Sequence, residues 1–271
     1  MMGRSHALSG GVGWLAGCAA LTAAGVTVDP AAVVFGAAVS TGCALAPDVD
    51  HPQSTVAHSL GWLTRGVATG VSRGAAALRT ASCLHCASGP DRGGHRAVTH
   101  TAAGAAMVGG ITANLCLWFG RTPALWVIAI TVWLAVHAAL SSRTRARIGD
   151  MILPGRFRRM GKGAHRFAAM LGAIIVAGFA AAMADSALPA DNLWWVGLAV
   201  FWGWLAHILG DGLTYSAVPL WWPIQIRGCR WTPVGTPRWM RFRTGSRTET
   251  AVVWLMVFAG IGSVLVLGAA W

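Results

Sequence analysis

The sequence predicts an all-α, polytopic membrane bundle of about seven transmembrane helices, on three observations. Apolar runs recur at the length of a bilayer core, charged residues are few, and nearly all the basic ones fall in alternate connecting segments. Of 271 residues, 55% are hydrophobic and 11% charged, a balance suited to lipid rather than to a large soluble domain. Strand-like alternation of the membrane-barrel kind is missing, so helices must satisfy the backbone within hydrocarbon. The whole chain, 1–271, reads as a single integral membrane domain.

In order, the expected spans are 8–28, 30–47, 101–120, 123–141, 167–185, 192–210 and 250–270. The second is short and contains glycine. Glycine and alanine recur in most of them, which suits close helix–helix approach in lipid. The longest segment between spans is 56–94. There "SLGWLTRGVATGVSRGAAALRT" sets Leu60, Leu63, Val67 and Val71 at three- and four-residue steps among Arg65, Arg73 and Arg79. That is the pattern of an interfacial amphipathic helix, although its glycines suit a basic loop equally well. Segment 142–166 is basic and broken at Pro154-Gly155, as expected of a loop that fixes topology and meets lipid phosphates. Segment 211–249 mixes proline and glycine with Arg, Trp and Phe, and reads as a compact loop at headgroup level.

The net charge of +12 invites a nucleic-acid reading, but its distribution argues against one. With the N-terminus inside, segments 1–7, 48–100, 142–166 and 211–249 hold 20 of the 21 Lys and Arg residues, leaving only Arg121 outside. This is the positive-inside signature, and it predicts an N-in, C-out topology. Trp118, Trp194, Trp195, Trp221, Trp222 and Trp271 fall near expected span ends, as interfacial belts do. The six cysteines are scattered, so structural disulfides are not expected. Cys83-Leu84-His85-Cys86 has the spacing of a metal hairpin but lacks a second pair at suitable spacing. Leu15-Ala16-Gly17-Cys18 resembles a lipoprotein cleavage box behind Arg4; cleavage there would remove His6.

Four clusters carry chemistry. "RSHALSG" places His6 before the first span, and "PDVDHPQS" places Asp48, Asp50 and His51 after the second. "GGHRAVTHT" offers His95, Arg96, Thr99 and His100 before the third. "HILGDGLTY" puts His207 and Asp211 at the end of the sixth. Lys and Arg counting alone sends all four to the cytoplasmic boundary. Imidazole and carboxylate are the donor set of Zn²⁺, Mn²⁺ or Fe²⁺. His207 and Asp211, four apart, share a helix face. The donors suffice for one divalent ion with outer partners, or for two. Taken singly, each His is more often an interfacial histidine; together, so many ionisable groups beside hydrocarbon point to function. Arg96 is suited to hold a phosphate or a developing negative charge, and Asp50 to serve catalysis as well as metal. Thr99 and Thr214 are candidate orienting donors.

At these residues the chain resembles the family of membrane-bound metal-dependent hydrolases, also described as LexA-binding, inner-membrane-associated hydrolases. "SHALSG", "PDVDHPQS", "HRAVTHT" and "HILGDGLTYSAVPLWWP" occur in the family's order, and "FRTGSRTET" looks like its trailing element, which would add Glu249. Ala97, Thr101 and Ala217 depart from the pattern without removing a donor. The resemblance implies a metal site, with zinc the first choice, more firmly than it implies a substrate. It also admits a regulatory protein partner. The reading is a metal-dependent hydrolase acting on phosphoester bonds of phospholipids or lipid-linked phosphates. The rivals are a cation transporter and a structural or regulatory metal-binding membrane protein. Charged residues are missing from mid-span, which argues against the transporter.

Overall fold

The computed structural model describes residues 1–51, 54, 62–83, 94, 96–140, 144, 147, 151 and 162–271. Among them, the long helices are α1 (Gly3–Ala23), α2 (Pro30–Cys43), α3 (Trp62–Ser82), α4 (Ala102–Phe119), α5 (Arg121–Ala139), α6 (Lys162–Ala187), α7 (Trp195–Gly212) and α8 (Arg247–Ala270). No strand forms among the described residues; pairing is limited to isolated bridges such as Val218–Val234.

Local chemistry sets several helix starts. Asp29 caps α2 by accepting from the Ala31 N–H at 2.7 Å, with Pro30 in the first turn. Thr101 caps α4 through the Gly104 N–H at 2.9 Å, and Ser246 caps α8 through the Glu249 N–H at 3.3 Å. Gly120, at φ 61°, breaks the chain between α4 and α5.

Five stretches are long and apolar enough to cross a membrane: Pro30–Asp50, Ala102–Phe119, Arg121–Ala139, Phe167–Ala187 and Arg247–Ala270. The sequence led us to expect seven. The two others, α1 and α7, are comparable in length at 21 and 18 residues. Both carry ionisable groups inside the helix, His6 in α1 and His207 with Asp211 in α7. α1 begins at Gly3, so His6 lies within it rather than before it, and α7 runs through Asp211.

The packing has a centre. α7 contacts α1, α2 and α4; α2 also contacts α1 and α5; α6 packs on α5 and α8 on α1. In the inner trio, the Ser40 hydroxyl of α2 donates to the Ala199 carbonyl of α7 at 2.9 Å. Gly10 of α1 and Gly203 of α7 both face the Ser40 carbonyl so closely that a Cβ on either would overlap it. The three backbones therefore meet at one level, in the way small residues allow. One helical turn away, at i±4 from each of these residues, stand His6, Ala44 and His207. The glycine crossing thus sets the spacing of the groups above it.

The same end of the bundle is covered by two further pieces. α3 packs on the short 3-10 turns Ala46–Asp50 and Val98–His100. Its Ala68 and Ala75 are buried, Ala75 packing with Ala97 and Trp231, while Val67 of the expected apolar stripe is exposed. Segment 213–246 folds back over the ends of α7 and α4. Thr236 N–H donates to Gly212 O at 3.0 Å, Phe242 N–H to Leu213 O at 3.2 Å, and Ala102 N–H to Leu220 O at 2.9 Å. Against expectation, Cys229 takes part in a disulfide, and the Cys83 Sγ lies 3.9 Å from the Cys229 Sγ. Residues 84–86 of the Cys-x-x-Cys motif lie outside the described residues.

Candidate metal centre

Each cluster reaches the centre by a different backbone device. Helical spacing places His207 and Asp211 on one face of α7. His6 projects from the first turns of α1, and its ring stacks on that of His207 with centroids 3.9 Å apart and planes at 20°. Gly210 makes room for this stack: a Cβ there would lie 3.0 Å from His6 Nδ1. After α2 the chain tightens into the 3-10 turn Ala46–Asp50, with Pro47 near its start, and this turn sends its two carboxylates to different places. Arg96, at φ 58°, opens the turn that delivers Thr99 and His100. The Trp204 indole of α7 locks that turn by donating to the Thr99 carbonyl at 2.6 Å.

Hydrogen bonds fix which nitrogens point inward. His207 Nδ1 lies 2.8 Å from the Ala44 carbonyl, which can only accept, so Nδ1 carries the proton and Nε2 presents a lone pair. The Thr99 hydroxyl donates to Asp50 Oδ2 in a short contact, leaving its oxygen to accept from His100 Nδ1 at 3.0 Å. His100 Nε2 is thereby also turned inward, and it lies 3.3 Å from His207 Nε2. Two lone pairs facing at that distance repel unless a proton or a cation lies between them.

The carboxylates complete the constellation. Asp48 Oδ1 is 3.6 Å from His207 Nε2 and 4.0 Å from His100 Nε2. Asp211 Oδ1 is 3.3 Å from His6 Nε2, and its Oδ2 is 3.8 Å from His100 Nε2. Bonds of about 2.0–2.2 Å to zinc limit two donors on one ion to roughly 4.4 Å apart. These five donor separations, 3.3 to 4.0 Å, fall below that ceiling. Two triads result, His6–His207–Asp211 and Asp48–His100–His207, sharing His207. Because His207 Nδ1 is committed to Ala44, both triads draw on the same His207 nitrogen, Nε2.

The other expected residues fall elsewhere. Asp50 is fully buried behind His100, accepting from the Arg96 N–H at 3.1 Å and from Thr99, so it orients the turn and the imidazole. The His51 N–H closes the turn onto Asp48 O at 3.0 Å, and its side chain is not in either triad. His95 lies outside the described residues. The Thr214 hydroxyl donates to the Asp211 carbonyl at 2.8 Å and finishes α7 rather than facing the donors. Arg96 Nη2 pairs with Asp211 Oδ2 at 2.8 Å, and its buried Nε has no hydrogen-bond partner among the described residues.

Several contributors carry no sequence signal. The Ala44 carbonyl is one, and the Trp204 indole in an apolar helix is another. The Met1 ammonium lies 3.1 Å from Asp211 Oδ1. Glu249, buried, accepts from the Met2 N–H at 2.7 Å and from the Gly245 N–H at 2.6 Å, tying α8 to the start of α1. Glu249 is flagged in the sequence by the resemblance of "FRTGSRTET" to the family's trailing element, and its Ser-x-x-Glu spacing is that of a helix start. Four of the donors are closed to water, with His6, His100, His207 and Asp211 at 2% exposure or less. Asp48 and Arg96 form the open side, at 36% and 28% of their side chains.

A family model described as YdjM inner membrane protein matches residues 1–154, more than half of the chain and three of the four clusters. No curated protein and no solved structure matches. With the five apolar helices, the match makes this a multi-pass protein of the bacterial inner membrane.

Proposed function

Taking as premise that the chain belongs to the YdjM inner membrane protein family, we propose that it is a metal-dependent hydrolase acting on phosphoester bonds at the membrane boundary. α1 and α7 complete seven spans in this reading, with the N-terminus and the metal centre on the cytoplasmic side. The carrying observation is the pair of inward Nε2 atoms of His100 and His207, 3.3 Å apart with both Nδ1 atoms held from behind. His207, with His6 and Asp211 or with Asp48 and His100, would hold a divalent ion, zinc by donor type, with manganese or iron compatible. Such an ion supplies Lewis acidity and a water made acidic enough to attack near neutral pH.

The chain's own residues do the rest. Asp50 and Thr99 hold His100 in the tautomer that offers Nε2. The buried trio of His6, His207 and Asp211 excludes water from one side. Asp48 and Arg96 face the open side, where substrate must enter. Arg96 keeps an N–H donor unspent and can share its guanidinium between Asp211 and an anionic group. A phosphate of a phospholipid or lipid-linked substrate fits both that donor and the location.

The test is turnover by purified, metal-loaded protein against a panel of phospholipids and phosphodiesters. Phosphate release that falls about 10²–10³-fold in Arg96→Gln supports the reading. An inert panel, with wild type and Arg96→Gln alike, sinks it. The near-complete burial of four donors favours a second reading, in which the ion only ties helix ends together. Metal removal would then lower the melting temperature while no substrate is ever turned over.

A further inference from the structure

We propose that segment 213–246 is a docking surface for anionic lipid headgroups, anchored in the bilayer interface by Trp239. This rests only on placement in the inner membrane, and stands whether or not the metal centre hydrolyses anything. From Gly212 to Thr248 the chain contains no Asp or Glu, yet it carries six arginines. Arg227, Arg230, Arg238 and Arg243 are exposed, and none forms an ion pair among the described residues. Beside them stand apolar and aromatic side chains in the open: Trp239 at 83% exposure, with Tyr215, Trp221, Ile224 and Met240.

The position of this segment decides its partner. It links the end of α7 to the start of α8, a helix long and apolar enough to cross the membrane. Its backbone is pinned at both ends and across the middle, by Thr236 to Gly212, Phe242 to Leu213 and the Val218–Val234 pair. It therefore cannot rise far from the bilayer surface, and Trp239 stands eight residues before Arg247, where α8 begins. Tryptophan is at home in that layer, half in hydrocarbon and half in headgroups. Exposed arginines of the same segment, without an ion pair among the described residues, call for phosphate partners. A neutral lipid satisfies the tryptophan but not the arginines, whereas an acidic soluble partner satisfies the arginines but leaves Trp239 without hydrocarbon.

The experiment uses the full-length protein in mixed micelles containing phosphatidylglycerol and phosphatidylcholine. The lipid retained after size-exclusion is measured at low and high salt. Wild type is expected to enrich phosphatidylglycerol, and to lose much of the enrichment at high salt. Arg238→Gln with Arg243→Gln should lower the enrichment by roughly fivefold per arginine. Trp239→Ala should reduce retention of both lipids without changing their ratio. Arg121→Gln, on the remote end of the bundle, should behave as wild type and control for handling. Equal retention of the two lipids by wild type, enrichment unmoved by salt, or an unchanged ratio in the arginine variant would each overturn the proposal.

Discussion

The two ends of this bundle treat charge in opposite ways. At the end where α4 meets α5, Arg121 pairs with Asp185 at 3.2 Å, with the side chains 37% and 57% exposed. Asp29 there spends its carboxylate on capping α2. Each group has a local task and one foot in water. At the other end, His6, Asp50, His100, His207 and Asp211 are sealed from solvent and held by one another and by Thr99, Arg96, the Ala44 carbonyl and the Met1 ammonium. Burying so many ionisable groups is costly unless the partners are complete. The difference teaches that the polar groups of the remote end terminate helices, whereas those of the site end specify how four chain segments meet.

The largest break of this contrast should come from Asp211. It is held by His6, Arg96 and the Met1 ammonium together. Asp211→Ala leaves buried groups unpartnered and should cost about 3–5 kcal/mol in unfolding free energy, measured by denaturation in detergent. Next comes Gly203→Ala. It touches no ionisable group, but a Cβ there collides with the Ser40 carbonyl one turn from His207. It should cost about 1–3 kcal/mol and weaken metal binding, because it pushes α7 away from α1 and α2. If Gly203→Ala lowers stability while metal affinity is untouched, the crossing does not set the site.

Asp50→Asn sharpens the contrast within the site end. The amide keeps the shape, and its oxygen in the place of Oδ2 can still accept from Thr99 and the Arg96 N–H, but without the carboxylate's charge. A loss of about 10–100-fold in metal affinity, with the ion still bound at saturation, is expected for an orienting residue. Complete loss would mark Asp50 as a ligand. Arg121→Gln gives the smallest effect: an exposed pair is worth about 0–1 kcal/mol, so stability should hardly move.

Much of the fold was legible because its signals are local. Apolar length announced seven spans, and five of the described helices are long and apolar enough to cross a membrane. Legibility failed where polar residues enter a helix. α1 was expected to begin at residue 8 because Ser5 and His6 look like a polar leader; only partners some 200 residues away make them helical core. In the site, the four clusters could be named from residue type and shared boundary. The division of labour between Asp48 and Asp50 could not, because it depends on a 3-10 curl that sends neighbouring carboxylates to opposite sides of His100. Nor could the Arg96–Asp211 pair or the role of Ala44, which rest on a backbone crossing made by glycines.

The central claim is that helix ends from four parts of the chain assemble a metal centre built on His207. Elemental analysis of purified wild type, His207→Ala and Asp48→Ala tests it most directly. One equivalent of a divalent metal in wild type, with nearly none in His207→Ala and a sharp reduction in Asp48→Ala, is the predicted result. Full metal retention in both variants, or no metal in wild type after loading, would contradict it.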